Sequence, residues 1–162
     1  MRNLQRFKDA QKDEHSGIAA ALAEIEAGQK RGHWIWYVFP QLAGLGRSDM
    51  SQAYGIDSVR EAVEYLRDEV LRARLLSIAS ALAAQRQARS ARLSVVMASR
   101  LDAAKVVSSM TLFGAVASRL HAEGACAGCG AIARDAEEIL RWAEEEGLPP
   151  CEYTRSVLSR DV

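Results

Sequence analysis

The stretch Trp34-Ile35-Trp36-Tyr37-Val38-Phe39-Pro40 decides how the rest of the chain can fold. Six aromatic or β-branched residues in a row before a proline are typical of a buried strand. A strand needs a ladder partner, however, and no second run of this kind occurs in the 162 residues. We therefore predict a short buried helix that ends before Pro40 and places this segment at the centre of the hydrophobic core.

The sequence on both sides of this stretch has helical periodicity. Apolar residues recur every three or four positions and predict helices over 4–12, 16–27, 58–66, 71–82, 93–98, 102–121 and 131–146. Ser58 and Glu61 have the spacing of a capping box, and Asp102 is predicted to cap a second helix. The predicted fold class is all-α, a single compact domain of about six to eight helices.

Composition excludes several classes of protein. With 49% hydrophobic and 26% charged residues, the chain is neither wholly disordered, nor collagenous, nor membrane-spanning. Its 21 Lys and Arg balance 21 Asp and Glu, whereas a nucleic-acid binder usually carries excess positive charge. The start shows no signal peptide and no apolar run approaches the ~20 residues of a membrane span, so we expect a cytoplasmic protein.

Three cysteines, Cys126, Cys129 and Cys151, raise the question of a disulfide or a metal site. An odd number without an export signal argues against a disulfide framework, so we expect reduced thiols. Cys126 and Cys129 have the spacing of half a zinc site or of a thioredoxin-type motif, and only Cys151 and His121 could complete a zinc site. Small residues and glycines over 122–130 indicate a flexible loop instead. We therefore predict neither a metal nor a cofactor.

Two long motifs carry a family resemblance. The first is Lys30-Arg31-Gly32-His33-Trp34-Ile35-Trp36-Tyr37-Val38-Phe39-Pro40-Gln41-Leu42, continued by residues 44–48 and 54–56. The second is Asp102-Ala103-Ala104-Lys105-Val106-Val107-Ser108-Ser109-Met110-Thr111-Leu112-Phe113. Both resemble the signatures of bacterial domain-of-unknown-function family 1810, and the resemblance extends from Leu4 to Thr154.

The resemblance implies a single all-helical domain but no particular activity. Members of that family are often labelled calpastatin, a name for inhibitors of a calcium-dependent protease. Such inhibitors are largely disordered, whereas this sequence has enough apolar residues for a full core, so the label does not fit. Residues 123–130 depart from the family pattern, which makes the cysteine pair look like a local insertion.

Polar residues of the second motif lie at the rim of a predicted apolar helix face. On a helix, Asp102, Lys105 and Ser109 fall within an arc of roughly 60° beside the apolar stripe. Capping by Asp102 and hydrogen bonds from the serine hydroxyls to backbone carbonyls would explain most of them structurally. Lys105 is harder to explain, because a cation near the helix start faces the positive end of the helix dipole, which an anion would relieve.

The first motif offers further candidates with two interpretations each. His33, beside two tryptophans, is either a boundary histidine with one hydrogen bond or a general acid–base. The glycine-rich stretch that ends in Arg47 and Ser48 could contact phosphate, although it lacks the ending of a phosphate-binding loop. The aromatic cluster is more typical of a core than of a ligand cage.

These residues support three hypotheses. The leading one is a binding domain with a pocket for a small polar or anionic ligand, formed by Trp34, Trp36, Gln41, Arg47, Ser48, Tyr54, Asp102, Lys105, Ser108 and Ser109. The second is an enzyme that uses the same pocket, with His33 as general acid–base and Lys105 as electrostatic stabiliser. The third is an interaction module that presents a helix face to a partner protein. A concave site joining His33, Arg47, Lys105 and Ser109 would support the first two.

Overall fold

The computed structural model describes residues 3–161, which form ten α-helices around one continuous core. They are α1 (Gln5–Gln11), α2 (Ile18–Glu26), α3 (Ile35–Val38), α4 (Asp49–Tyr54), α5 (Val59–Arg67), α6 (Glu69–Ala88), α7 (Leu93–Val96), α8 (Arg100–Ala122), α9 (Cys129–Glu144) and α10 (Glu152–Arg160). Residues 3–161 contain no strand, only an isolated parallel bridge between Leu42 and Ile56. The predicted all-α class is therefore confirmed, and the count of six to eight helices is wrong.

The two additional helices are α4 and α10, which hydrophobic periodicity did not detect. Within Asp49–Tyr54 no residue is buried, and within Glu152–Arg160 only Thr154 is. Their apolar residues that contact the core are only partly buried: Met50 and Tyr54 in α4, and Val157 and Leu158 in α10. The signal for α4 is its cap, because the Ser48 hydroxyl accepts a hydrogen bond from Ser51 N at 3.1 Å.

The aromatic stretch forms the predicted short helix, α3, which ends two residues before Pro40. Trp34 and Phe39, on either side of α3, are fully buried, with ring centroids 6.4 Å apart. Proline has no N–H to continue the helix, so α3 ends here, and Pro40 and Leu42 are themselves buried. The segment thus supplies large core side chains without needing a strand partner.

Helix α8 is the longest, with 23 residues, and packs against α3, α5, α7, α9 and α10. Its Phe113 ring lies 4.9 Å from that of Tyr65 on α5, which in turn meets Phe7 of α1 edge-on at 5.3 Å. Across residues 3–161, no helix combines the length and apolar character that crossing a membrane would require. The predicted cap is wrong: Ser99 caps α8 by accepting from Asp102 N at 3.0 Å, which leaves the Asp102 carboxylate available for other partners.

The cysteines differ from the expectation of reduced thiols, because Cys126 and Cys129 are joined as a disulfide. Gly128, with φ +88°, turns the chain into α9 and brings the two Cα atoms to 5.5 Å. Cys129 is the first residue of α9 and is fully buried, so the predicted loop over 122–130 shortens to 123–128. The zinc hypothesis thereby loses two thiols, and among the described residues no three His, Cys, Asp or Glu side chains converge on a metal position.

Gln11 is a buried polar residue that joins three elements. Its Nε2 donates to Tyr37 O at 2.8 Å and to the Tyr65 hydroxyl at 3.1 Å, while its Oε1 accepts from Arg74 Nη1 at 3.2 Å. Burial, the largest influence on Tyr65, raises the pKa of that phenol. The Gln11 amide N–H group therefore provides the Tyr37 carbonyl and the Tyr65 hydroxyl with a partner in the buried interior.

Replacing Gln11 with Met keeps the side-chain volume but removes the hydrogen bonds to Tyr37 O and Tyr65. We expect Gln11→Met to lower the free energy of unfolding by about 1–3 kcal/mol, the cost of leaving buried polar groups unsatisfied. Gln5→Met, on the exposed side of the same helix, is the matched control and should change it by less than about 0.5 kcal/mol. Urea denaturation of both variants measures this difference. Equal losses of unfolding free energy would show that the buried hydrogen bonds of Gln11 do not stabilise the fold.

Candidate functional site

Asp102 of the second motif is the centre of an ion cluster at the start of α8. Asp102 Oδ2 lies 2.9 Å from Lys30 Nζ, and Asp102 Oδ1 lies 3.6 Å from Lys105 Nζ. Lys30 is only 7% exposed, donates to Gly32 O at 2.5 Å, and lies 5.1 Å from the Trp34 ring. One carboxylate is therefore shared by two ammonium groups.

Glu24 on α2 orders the turn that carries Lys30 into this cluster. Its Oε1 accepts hydrogen bonds from Arg31 N at 2.6 Å, Gly32 N at 2.7 Å and Trp34 Nε1 at 3.0 Å. Burial acts to raise the pKa of Glu24, but these hydrogen bonds outweigh it and hold the pKa below its usual value. The ionised carboxylate thus holds the 31–34 turn against α2.

Lys105 faces a groove rather than the core. Its ammonium lies 5.3 Å from the Trp36 ring centroid, in range of a cation–π interaction. Because α8 begins at Arg100, Lys105 stands in the second turn, further from the positive helix end than predicted. Lys105 shares the Asp102 carboxylate with Lys30, so one negative charge lies beside two positive ones.

The groove has a volume of about 320 Å³ and runs between residues 41–48, α4 and the start of α8. Its polar lining residues are Gln41, Arg47, Ser48, Ser51, Lys105 and Ser108, and its apolar ones include Leu45, Leu101 and Ala104. Among the described residues that line it, none is acidic, and the two charged ones are both cations. Within residues 3–161 no carboxylate pairs with the Arg47 guanidinium. Leu101 is 69% exposed, which gives the groove an apolar edge.

A smaller cavity of about 10 Å³, the room that one water-sized group needs, adjoins the groove through Gln41, Ser51 and Lys105. Trp36 and Tyr54 complete its polar lining. Nε1 of Trp36 is buried and finds no hydrogen-bond partner among residues 3–161. A buried N–H without an acceptor costs free energy, which an acceptor entering this cavity would recover.

Gly46 allows the loop of residues 41–48 to lie close to α4. A Cβ on Gly46 would lie 2.4 Å from Ser51 Oγ, so only glycine lets the loop approach α4 this closely. Hydrogen bonds from Ala43 N to Ile56 O at 2.8 Å and from Ile56 N to Gln41 O at 2.9 Å fix the base of the loop. These contacts set the position of Gln41 and Arg47 relative to α8.

The structure brings together part of the set of predicted site residues. Gln41, Arg47, Ser48, Lys105 and Ser108 line the groove, and Trp36 and Tyr54 line the adjoining cavity. Asp102 lies behind the groove as the partner of Lys105.

Three predicted residues lie elsewhere. Trp34 and Ser109 are fully buried in the core. His33 is exposed and lines neither cavity; its carbonyl accepts a hydrogen bond from the Tyr37 hydroxyl at 3.3 Å. The predicted concave site joining His33, Arg47, Lys105 and Ser109 therefore does not form, because α3 turns His33 to the surface and α8 turns Ser109 inward.

Sequence reasoning missed Ser51, Leu101 and the surroundings of Cys151. An exposed leucine directly before Asp102 was the available signal for Leu101, whereas nothing local marks Ser51. Burial acts to raise the pKa of the Cys151 thiol, but nearby polar groups of Thr154, Ser108 and Tyr153 lower it overall.

A solved structure of another protein has a similar fold. No curated protein matches the chain. The conserved hypothetical protein Rv1873 from Mycobacterium tuberculosis, whose crystal structure is known at 1.38 Å, is 31% identical to this chain in sequence. The structural alignment covers 96% of each chain and has a TM-score of 0.76. At this coverage the similarity includes α9.

The family that the two motifs resemble also matches directly. Residues 1–125 match the family described as "Protein of unknown function (DUF1810)". This match ends before the Thr154 limit predicted from the motifs, so the Cys126–Cys129 disulfide and the two last helices lie beyond it. It contains both motifs and most of the chain, and the protein therefore belongs to the DUF1810 family.

Proposed function

We propose that the groove between residues 41–48 and α8 binds a small ligand that carries an anionic group and an apolar part. The observation that carries this proposal is the charge of the lining: Arg47 and Lys105 are the charged side chains there, and no described lining residue is acidic. A cleft whose charged lining residues are all cations attracts anions, so an anion is the complementary occupant.

The partners of Lys105 support an anionic ligand. Asp102 cannot neutralise both Lys30 and Lys105, and the shorter of its two contacts, at 2.9 Å, goes to Lys30. The Lys105 ammonium thus keeps attraction for a second anion. The Trp36 N–H in the adjoining cavity and the amide of Gln41 add hydrogen-bond donors for an oxygen of that anion.

The apolar edge supports a ligand with a hydrophobic or planar part. Leu45 and Leu101 lie on the groove, and Leu101 is mostly exposed. Covering Leu101 would contribute hydrophobic free energy to binding, roughly 25 cal/mol for each Å² removed from water. An inorganic anion alone would leave this surface in contact with solvent.

Binding is favoured over catalysis at this site. An enzyme of the predicted type needs a general acid–base beside its ligand. The described groove residues include no His, Asp or Glu, and His33 lies outside the groove.

A cytoplasmic location stays a prediction from the sequence.

Phenyl phosphate, which combines an anion with an apolar ring, is a suitable probe. We expect it to bind the wild-type chain, and Arg47→Ala and Lys105→Gln to weaken its Kd by about 10- to 100-fold each, the effect of losing a charged hydrogen bond. Isothermal titration calorimetry measures these constants. Phenol, which lacks the phosphate, should show no measurable binding.

Matched controls separate the groove from general surface charge. Arg60 and Lys12 are exposed and lie outside the groove, so Arg60→Ala and Lys12→Gln should leave the Kd unchanged. Equal weakening by all four variants, or no heat of binding for phenyl phosphate with the wild-type chain, would overturn the proposal.

The two lysines on Asp102 should differ in their effect on stability. Lys30 is buried and donates to Gly32 O, so Lys30→Met should cost about 1.5–3 kcal/mol of unfolding free energy. Lys105→Gln leaves Asp102 paired with Lys30 and should cost less than about 1 kcal/mol. Urea denaturation at neutral pH compares them; a larger loss for Lys105→Gln would show that this lysine serves the fold.

A further inference from the structure

The Cys126–Cys129 disulfide lies at the start of α9, away from the groove, and its two sulfurs differ in accessibility. Cys129 is fully buried against the core as the first residue of the helix. Cys126 is only partly buried, and its neighbours Ala125 and Ala127 are exposed. An external reagent can therefore reach the Cys126 sulfur but not that of Cys129.

The buried sulfur stands where a negative charge is favoured. Helix α9 has 16 residues, its first turn contains no acidic residue, and Cys129 lies at the positive end of its dipole. The His121 imidazole packs against the next residue, since a Cβ on Gly130 would lie 2.9 Å from its Nδ1. A thiolate at a helix N-terminus is a better leaving group than an ordinary thiolate.

The cross-link itself adds little to the fold. It joins residues three positions apart, so the loop it closes is among the shortest possible. The entropy removed from an unfolded chain grows with the size of the closed loop, and here it is correspondingly small. Cys129 would remain packed at the start of α9 in either redox state.

From these observations we propose that Cys126 and Cys129 form a reversible dithiol–disulfide site that exchanges with low-molecular-weight thiols through Cys126. The small size of the partner thiol follows from the surroundings of the Cys126 sulfur. Its exposed neighbours are small, and no described atom lies within 4 Å of where a Cβ on Gly124 would be. A small thiolate therefore approaches without displacing a side chain.

The exchange proceeds in two balanced steps. A thiolate attacks the Cys126 sulfur, a mixed disulfide forms, and the electron pair of the broken bond leaves on the Cys129 sulfur at the start of α9. A second thiolate then attacks the sulfur of the first, which releases a small-molecule disulfide and the Cys126 thiolate. Two thiols are oxidised, and the protein disulfide takes up two electrons and two protons. Oxidation of the dithiol follows the reverse path.

The first experiment uses the full chain in buffers of defined ratios of reduced to oxidised glutathione. After equilibration, free thiols are alkylated with a maleimide and counted by mass spectrometry. We expect the pair to titrate reversibly between dithiol and disulfide, with the same circular dichroism spectrum in both states. A disulfide that stays intact in reduced glutathione, a dithiol that stays reduced in oxidised glutathione, or unfolding on reduction would each overturn the proposal.

The second experiment tests which sulfur is attacked, in a Cys151→Ser background that removes the third thiol. With oxidised glutathione, Cys129→Ser should form a mixed disulfide at Cys126 at least about 10-fold faster than Cys126→Ser forms one at Cys129. Equal rates would overturn the assigned roles. If either variant fails to fold, peptide mapping of the mixed disulfide trapped on the wild-type chain decides the same point: glutathione on Cys126 supports the assignment, and glutathione on Cys129 overturns it.

Discussion

The shared carboxylate of Asp102 joins the two sequence motifs and positions what lies between them. Its contact with Lys30 attaches the connection after α2 to the start of α8, and Lys30 in turn lies over the Trp34 ring in the core. Its contact with Lys105 directs that side chain over Trp36 and into the groove. Without an anion at position 102, two lysines would lie in a partly buried region with no negative charge to balance them.

This arrangement leaves the groove with positive charge that no acidic lining residue balances. Fold stability alone would be served by one carboxylate for each lysine, or by apolar residues of similar volume. The structure instead keeps an extra ammonium group and the Arg47 guanidinium along the groove, and a buried indole N–H on Trp36 in the adjoining cavity. Locally costly groups that converge on a cavity are typical of binding sites, where the ligand supplies the missing partner.

The groove and the disulfide lie at opposite ends of α8. A helix of 23 residues is about 35 Å long, so the two sites share a scaffold but no side chains. The groove lies within the part of the chain that matches the family, and the disulfide lies beyond it. We therefore expect the proposed ligand binding and the proposed thiol exchange to be separable, so that a variant at one end leaves the geometry of the other in place.

The sequence by itself determined the all-α class, the short helix before Pro40 and the capping of α5 by Ser58, because each depends on residues close together in the chain. It also indicated Arg47 and Lys105 as cations in excess of what a helical core needs. Only the tertiary structure decided that these two meet in a groove, that His33 and Ser109 do not, and that Asp102 binds two lysines instead of capping α8. The physical reason is that hydrophobic periodicity reports which face of one helix is buried, whereas such meetings depend on how distant helices pack. The disulfide lies between these cases, since its cysteines are neighbours in sequence but a left-handed turn at Gly128 brings their side chains together.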